Sequence, residues 1–126
     1  MMNEEYHITY QTTITLTEED ITDIVVTALE GGINYWACLD NTTDEFNNAP
    51  DDEPISITTA KILLSGGTVI FYDNEDDLAV FKLTLDKLLK GIKNYAEWRG
   101  FDMDYIDADM ADCIVQYALF DEVVYG

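Results

Sequence analysis

The side chains that most often do chemistry are scarce in this sequence: one histidine, His7, two serines, Ser56 and Ser65, and two cysteines, Cys38 and Cys113. His7 falls on the polar side of an alternating stretch and reads as a surface residue, so neither a histidine-based triad nor a multi-histidine metal site is expected within one chain. Neither serine lies in a G-x-S-x-G nucleophile elbow. Cys38, inside Tyr35-Trp36-Ala37-Cys38-Leu39, and Cys113, before Ile114-Val115, read as small buried thiols of a reduced, cytosolic protein.

Carboxylates are the one abundant reactive group. Asp102, Asp104, Asp107, Asp109 and Asp112 have the density of a calcium loop, but the glycine at loop position six and the glutamate at position twelve are missing. A loop starting at Asp40 puts Thr42, Asp44 and Asp51 at positions three, five and twelve, with Glu45 in place of the glycine. Neither match defines a metal site, and nothing marks a carboxylate pair as buried for acid–base work. No catalytic residue, cofactor or metal is therefore expected.

The 126 residues carry 26 Asp and Glu against 6 Lys and Arg, a net charge of −20. Nucleic acids and anionic membranes attract basic surfaces, so the chain is a poor candidate for either, and no direct binding to nucleic acid or membrane is expected. Residues 1–81 sum to −16 and residues 100–126 to −7, while Lys82, Lys87, Lys90, Lys93 and Arg99 give the intervening segment +3. A hydrophobic share of 48 % is enough to bury a core, which argues against disorder. The acidic start, Met1-Met2-Asn3-Glu4-Glu5, lacks the features of a secretory signal, and no apolar run approaches the ~20 residues that span a bilayer.

Elements follow from periodicity. Tyr6, Ile8, Tyr10, Thr12, Ile14 and Leu16 alternate with polar neighbours and predict the clearest strand of the chain. Thr17 is placed to cap a helix bearing Ile21, Ile24, Val25, Ala28 and Leu29, with Gly31 as its stop, and Ile33 to Leu39 reads as a second strand. Asp40 to Glu53 is an acidic loop. A helix over Ser56 to Leu64 ends at Gly66-Gly67, and Thr68–Tyr72 and Leu78–Leu83 form a hairpin around an acidic turn. Thr84 caps a helix closed by Gly100, Asp107 caps a last helix, and Glu122 to Tyr125 suggests a short terminal strand. The two Gly-Gly pairs follow helices, where free carbonyls rather than N–H groups point outward, so they are read as stops and not as phosphate cradles.

One domain is expected over residues 1–126, with a flexible 1–5 and the acidic loop at 40–53. Its fold class is α+β: a mainly antiparallel sheet built from the first strand, the two Gly-Gly strands and the hairpin, with amphipathic helices packed on one face. Val69 and Phe71 oppose Ile70 and Tyr72, so the middle strand is apolar on both sides, either covered twice or lying under an oligomer interface.

The stretches Ile21 to Trp36, containing Ala-Leu-Glu-Gly-Gly-Ile-Asn-Tyr-Trp, and Ile114 to Phe120, with Gly66-Gly67 between, resemble a family of small acidic bacteriophage and prophage proteins of uncharacterised activity. The resemblance runs from about Ile14 to Gly126. It implies a bacterial host cytoplasm and supplies no catalytic residues. By analogy with small acidic phage proteins that block host defence, as anti-CRISPR proteins do, the acids become a nucleic-acid-mimicking surface for a basic host protein. The partner-binding candidates are Glu18, Glu19, Asp23, Asp40, Asp44, Glu45, Asp51, Asp52, Asp102, Asp104, Asp107, Asp109 and Asp112. Glu19 with Asp23, and Asp109 with Asp112, are expected to share helix faces. Two alternatives stand beside this. One is an oligomeric sponge for a small nucleotide signal, with Tyr35, Trp36, Tyr72, Lys82 and Arg99 lining a pocket. The other is an accessory or structural phage protein.

Overall fold

The computed structural model describes residues 4–126. Local chemistry sets most helix boundaries. Helix α1, Glu18–Thr27, opens with a capping box: the Thr17 hydroxyl accepts from the Asp20 N–H at 3.1 Å and the Asp20 carboxylate accepts from the Thr17 N–H at 3.0 Å. Ile21, Ile24 and Val25 are its buried stripe. The chain does not stop at Gly31. It widens into a π turn, Ala28–Gly32, and reverses over Ile33 to Trp36, where the Ile33 carbonyl accepts from the N–H groups of Trp36 and Ala37. Only Ala37–Leu39 of the expected second strand is β1.

The acidic loop contains one short helix, α2, Asp44–Asn47. Helix α3, Ile55–Leu64, ends at Gly66, whose φ of +90° suits glycine, with the Gly67 N–H donating to the Ile62 carbonyl at 2.9 Å. The hairpin strands are β2, Val69–Asp73, and β3, Asp76–Leu83. Thr84 caps α4, Leu85–Arg99, and Asp107 caps α5, Ala108–Phe120, after a 3-10 turn at Met103–Tyr105.

The sheet is antiparallel, ordered β1-β2-β3, with Cys38 opposite Tyr72 and Tyr72 opposite Val80. Its inner face, with Val69, Phe71 and Leu83 buried, joins Trp36, Leu88, Ile92, Ile114 and Val115 in one core shared with the helices. This is an α+β domain. The middle strand is covered on that side alone: Ile70 and Tyr72 stay half-buried on the outer face, beside exposed Cys38 and Val80. Cys38 is therefore not the core thiol expected. Cys113 is half-buried, and burial raises its thiol pKa.

Helices α4 and α5 cross with backbone nearly touching backbone. A Cβ at Gly91 would stand 2.3 Å from the Ile114 carbonyl oxygen and 2.9 Å from Ala118 Cβ, so only glycine fits there. Gly32 serves a similar crossing, since its Cβ would lie 2.9 Å from the Ala108 carbonyl. The two Gly-Gly pairs are thus not equivalent: one stops a helix, and the other lets α5 approach.

Two expected strands are not in the sheet. Residues 4–16 are extended but donate and accept no backbone–backbone hydrogen bond among the described residues, and Tyr6, Ile8 and Tyr10 are 86, 88 and 79 % exposed. Alternation makes a segment able to pair, but pairing needs a free edge within reach. Glu122 to Tyr125 is held differently, by a side chain: Gln116 Oε1 accepts from the N–H groups of Val124 and Tyr125, each at 2.7 Å. Of the expected flexible 1–5, residues 1–3 lie outside the described residues.

Candidate functional site

Eleven of the thirteen candidate partner-binding carboxylates are exposed. Glu18 and Glu19 occupy the first turn of α1, where the helix dipole favours negative charge, and Asp23 stands one turn on. Asp44 and Glu45 open α2, and Asp51 and Asp52 follow it. Asp102 and Asp107 cap the 3-10 turn and α5, with Asp104 and Asp109 beside them. Asp40 is half-buried and accepts from the Thr42 hydroxyl, the Thr42 N–H and the Tyr72 hydroxyl, which together hold its pKa below the usual aspartate value. The acids do not form one cluster. Glu18 and Glu19 stand at the N-terminal end of α1, while α5 begins against Gly32 in the π turn that continues it, about 20 Å away by the helical rise, with Asp23 about 14 Å from that crossing.

The thirteenth, Asp112, is a correction. It is 9 % exposed and turned inward, accepting from Trp36 Nε1 at 2.8 Å, the Tyr35 hydroxyl at 2.7 Å and Gln116 Nε2 at 2.9 Å. A charge so placed is satisfied by the fold and unavailable to a partner. Burial and the hydrogen bond to Asp112 push Tyr35 up to about 12. The same knot holds the C-terminal segment: Tyr125 stacks on Trp36 at 4.5 Å between ring centroids, and its hydroxyl donates to Asp73 at 2.6 Å. That bond lowers the Asp73 pKa and pushes Tyr125 up to about 12.

Tyr35, Trp36, Tyr72, Lys82 and Arg99 do not line a common pocket. Trp36 is 3 % exposed and its N–H is taken by Asp112, which corrects its assignment as a ligand contact. Tyr72 and Lys82 lie on the outer sheet face, and the Arg99 guanidinium sits 4.1 Å over the Trp98 ring. A groove of about 790 Å³ lies elsewhere, between residues 10–16 and the flank of α4 formed by Leu89, Ile92, Lys93, Ala96 and Glu97.

His7 is exposed, with the Glu5 carboxylate at 3.2 Å. The Ser56 hydroxyl donates to Glu30 and that of Ser65 to the Ile62 carbonyl. Among the described residues no three His, Cys, Asp or Glu side chains converge where a metal ion could sit, and no helix is long and apolar enough to cross a membrane. Four acids lie beside basic side chains among the described residues: Glu53 pairs with Lys61, Asp121 with Lys90 and, at 4.0 Å, Glu97 with Lys93, while Glu5 is hydrogen-bonded to His7. These are four of the 26 acids, and none is among the thirteen candidates.

The chain matches no known protein family, no curated protein and no solved structure.

Sequence reasoning missed the Asp112 knot, although a signal was present. Asp112 and Gln116 are four apart and flank the apolar stripe Ala111, Ile114, Val115 and Ala118, where two polar residues on the dry side of a helix call for partners of their own.

Proposed function

We propose that this chain is a non-catalytic, phage-encoded inhibitor that acts in the host cytoplasm, occupying the basic nucleic-acid-binding groove of a host defence protein with its carboxylates. The observation that carries the reading is the number of exposed acids that meet no cation among the described residues, where none of the twelve remaining candidates makes an ion pair. Surface charge of one sign repels itself and costs stability, and a cationic groove relieves that repulsion on binding. Such binding is fast and salt-sensitive. The exposed single histidine and the serine hydroxyls already engaged within the fold fit a role without catalysis.

Immobilised chain is passed through lysate of a bacterial host, and the retained protein is purified and titrated. The reading expects a nucleic-acid-binding protein that duplex DNA displaces and that binds the Glu19→Lys/Asp23→Lys/Asp109→Lys variant at least tenfold more weakly. A partner indifferent to DNA, to salt and to these reversals would overturn it.

A further inference from the structure

The arm at residues 4–10 has the composition of a strand and the backbone of one, yet forms no backbone–backbone hydrogen bond among the described residues. The sheet has an edge that could receive it. In the β1–β2 ladder the Asp40 N–H donates to the Ile70 carbonyl and the Asn74 N–H to the Trp36 carbonyl, each at 2.9 Å. The even-numbered residues of β2 therefore turn their backbone groups to β1, and Val69 and Phe71 turn theirs to β3. Since Val69 faces Leu83 and Phe71 faces Phe81, it is Val80 and Lys82 of β3 that aim their N–H and C=O groups away from the sheet. The Lys82 carbonyl bears this out, accepting from Lys87 Nζ at 2.8 Å. Val80 is left open on the regular part of β3, next to a bulge over residues 77–79 where Leu78 is 89 % exposed and turns its N–H to the Asp76 carboxylate at 3.0 Å.

We propose that the arm of one copy adds to β3 of a second copy as a fourth, antiparallel strand, with Tyr6 opposite Val80 and Glu4 opposite Lys82, which leaves Ile8 beside the exposed Leu78 at the bulge. Charge selects this arrangement. Antiparallel pairing brings Glu4 to the one cation of β3, whereas parallel pairing would lay Glu4 and Glu5 along Asp76 and Asp77. The register also aligns the exposed apolar side chains of the arm with the outer row Val80–Tyr72–Cys38, extending that face by a strand. A second copy is the fitting occupant because residues 10–16 of the arm are already laid along α4 of their own chain. Residues 6–17 contain no acid, so the arm brings only Glu4 and Glu5 to the contact, at the end that meets Lys82, which limits the repulsion that a net charge of −20 imposes on two copies. Exchanged reciprocally, the two arms close a dimer.

The test uses the full chain with Cys38 and Cys113 replaced by serine. A Tyr6→Cys preparation is mixed with a Val80→Cys preparation and oxidised, since directly opposed strand residues fall within disulfide reach. The expected product is a disulfide-linked pair of unlike chains, and light scattering of the unmodified protein should give twice the chain mass at high micromolar concentration. Val80→Pro removes an edge donor without touching the β2 ladder and should return the chain mass to that of a monomer. If that variant fails to fold, Ile8→Asp, on an exposed side chain, provides the same reading. A monomer at every concentration, no cross-link on mixing, closure within single chains of the doubly substituted Tyr6→Cys/Val80→Cys protein, or a dimer that survives Ile8→Asp would each overturn the proposal.

Discussion

Replacing Asp112 by alanine separates a carboxylate that builds the fold from those that clothe it. The substitution removes three hydrogen bonds to an ionised group, from Trp36 Nε1, the Tyr35 hydroxyl and Gln116 Nε2. Tyr35 is half exposed and recovers water, and Gln116 Nε2 keeps the Tyr125 carbonyl at 3.2 Å, but the buried Trp36 N–H is left without an acceptor. Bonds to charged groups contribute about 1.5–3 kcal/mol each, and an orphaned buried donor costs about 1–3 kcal/mol. Against this stands the relief of a carboxylate's desolvation and of one unit of self-repulsion, which together return part of the loss. A net destabilisation of about 2–4 kcal/mol is expected, a large fraction of the roughly 5–15 kcal/mol that holds a domain folded. Urea denaturation followed by far-ultraviolet circular dichroism measures it, and the thermal midpoint should fall by about 8–16 °C. Asp109→Ala, one turn away and exposed, is the control, since it relieves similar repulsion and removes no buried partner. An Asp112→Ala midpoint equal to that of Asp109→Ala would refute the argument.

Gly91→Ala should destabilise by about 2 kcal/mol in the same assay despite alanine's better helix propensity, because the new methyl group strikes the Ile114 carbonyl; a gain in stability would contradict the close crossing. Tyr35 and Tyr125 keep their protons to about 12 in the folded chain against 10.0 for a free tyrosine, so stability is whole below pH 10 and declines as pH rises toward 12. Tyrosinate absorbance should show that decline easing in the Tyr35→Phe and Tyr125→Phe variants. Asp40 and Asp73 have lowered pKa values, so their contribution is present above the ordinary aspartate range and fades as pH falls through and below it; acid titration of Asp73→Asn should show a shallower loss than the parent. Added sodium chloride should raise the thermal midpoint by screening a net charge of −20, and a midpoint that falls with salt would show that attractive pairs dominate the surface.

The helices were legible because their signals are local. Thr17, Thr84 and Asp107 each accept from an N–H three residues on, a geometry that needs only the first turn of the helix itself. The hairpin was legible for the same reason. The alternation of Tyr6 to Leu16 is equally plain, but whether an alternating segment pairs depends on edges elsewhere in the fold, which the segment does not encode. Asp109 and Asp112 looked like one exposed pair, yet three residues turn a helix so that they stand roughly 60° apart around its axis, enough to put one in water and the other under Trp36. Gly32 and Gly66 look alike in sequence and differ in what lies above them. The candidate acids were legible as a population, and their division into separate groups is a property of how α1 and α5 meet.

The two tryptophans sit in opposite surroundings. Trp36 is buried, stacked on Tyr125 and hydrogen-bonded to Asp112, whereas Trp98 is 50 % exposed beneath Arg99. Their emission should therefore separate in wavelength, with a dissolved quencher reaching Trp98 and sparing Trp36. The chain carries two optical probes of its own: one follows events at the far end of α4, and the other stays silent until the knot around the C-terminal segment comes undone.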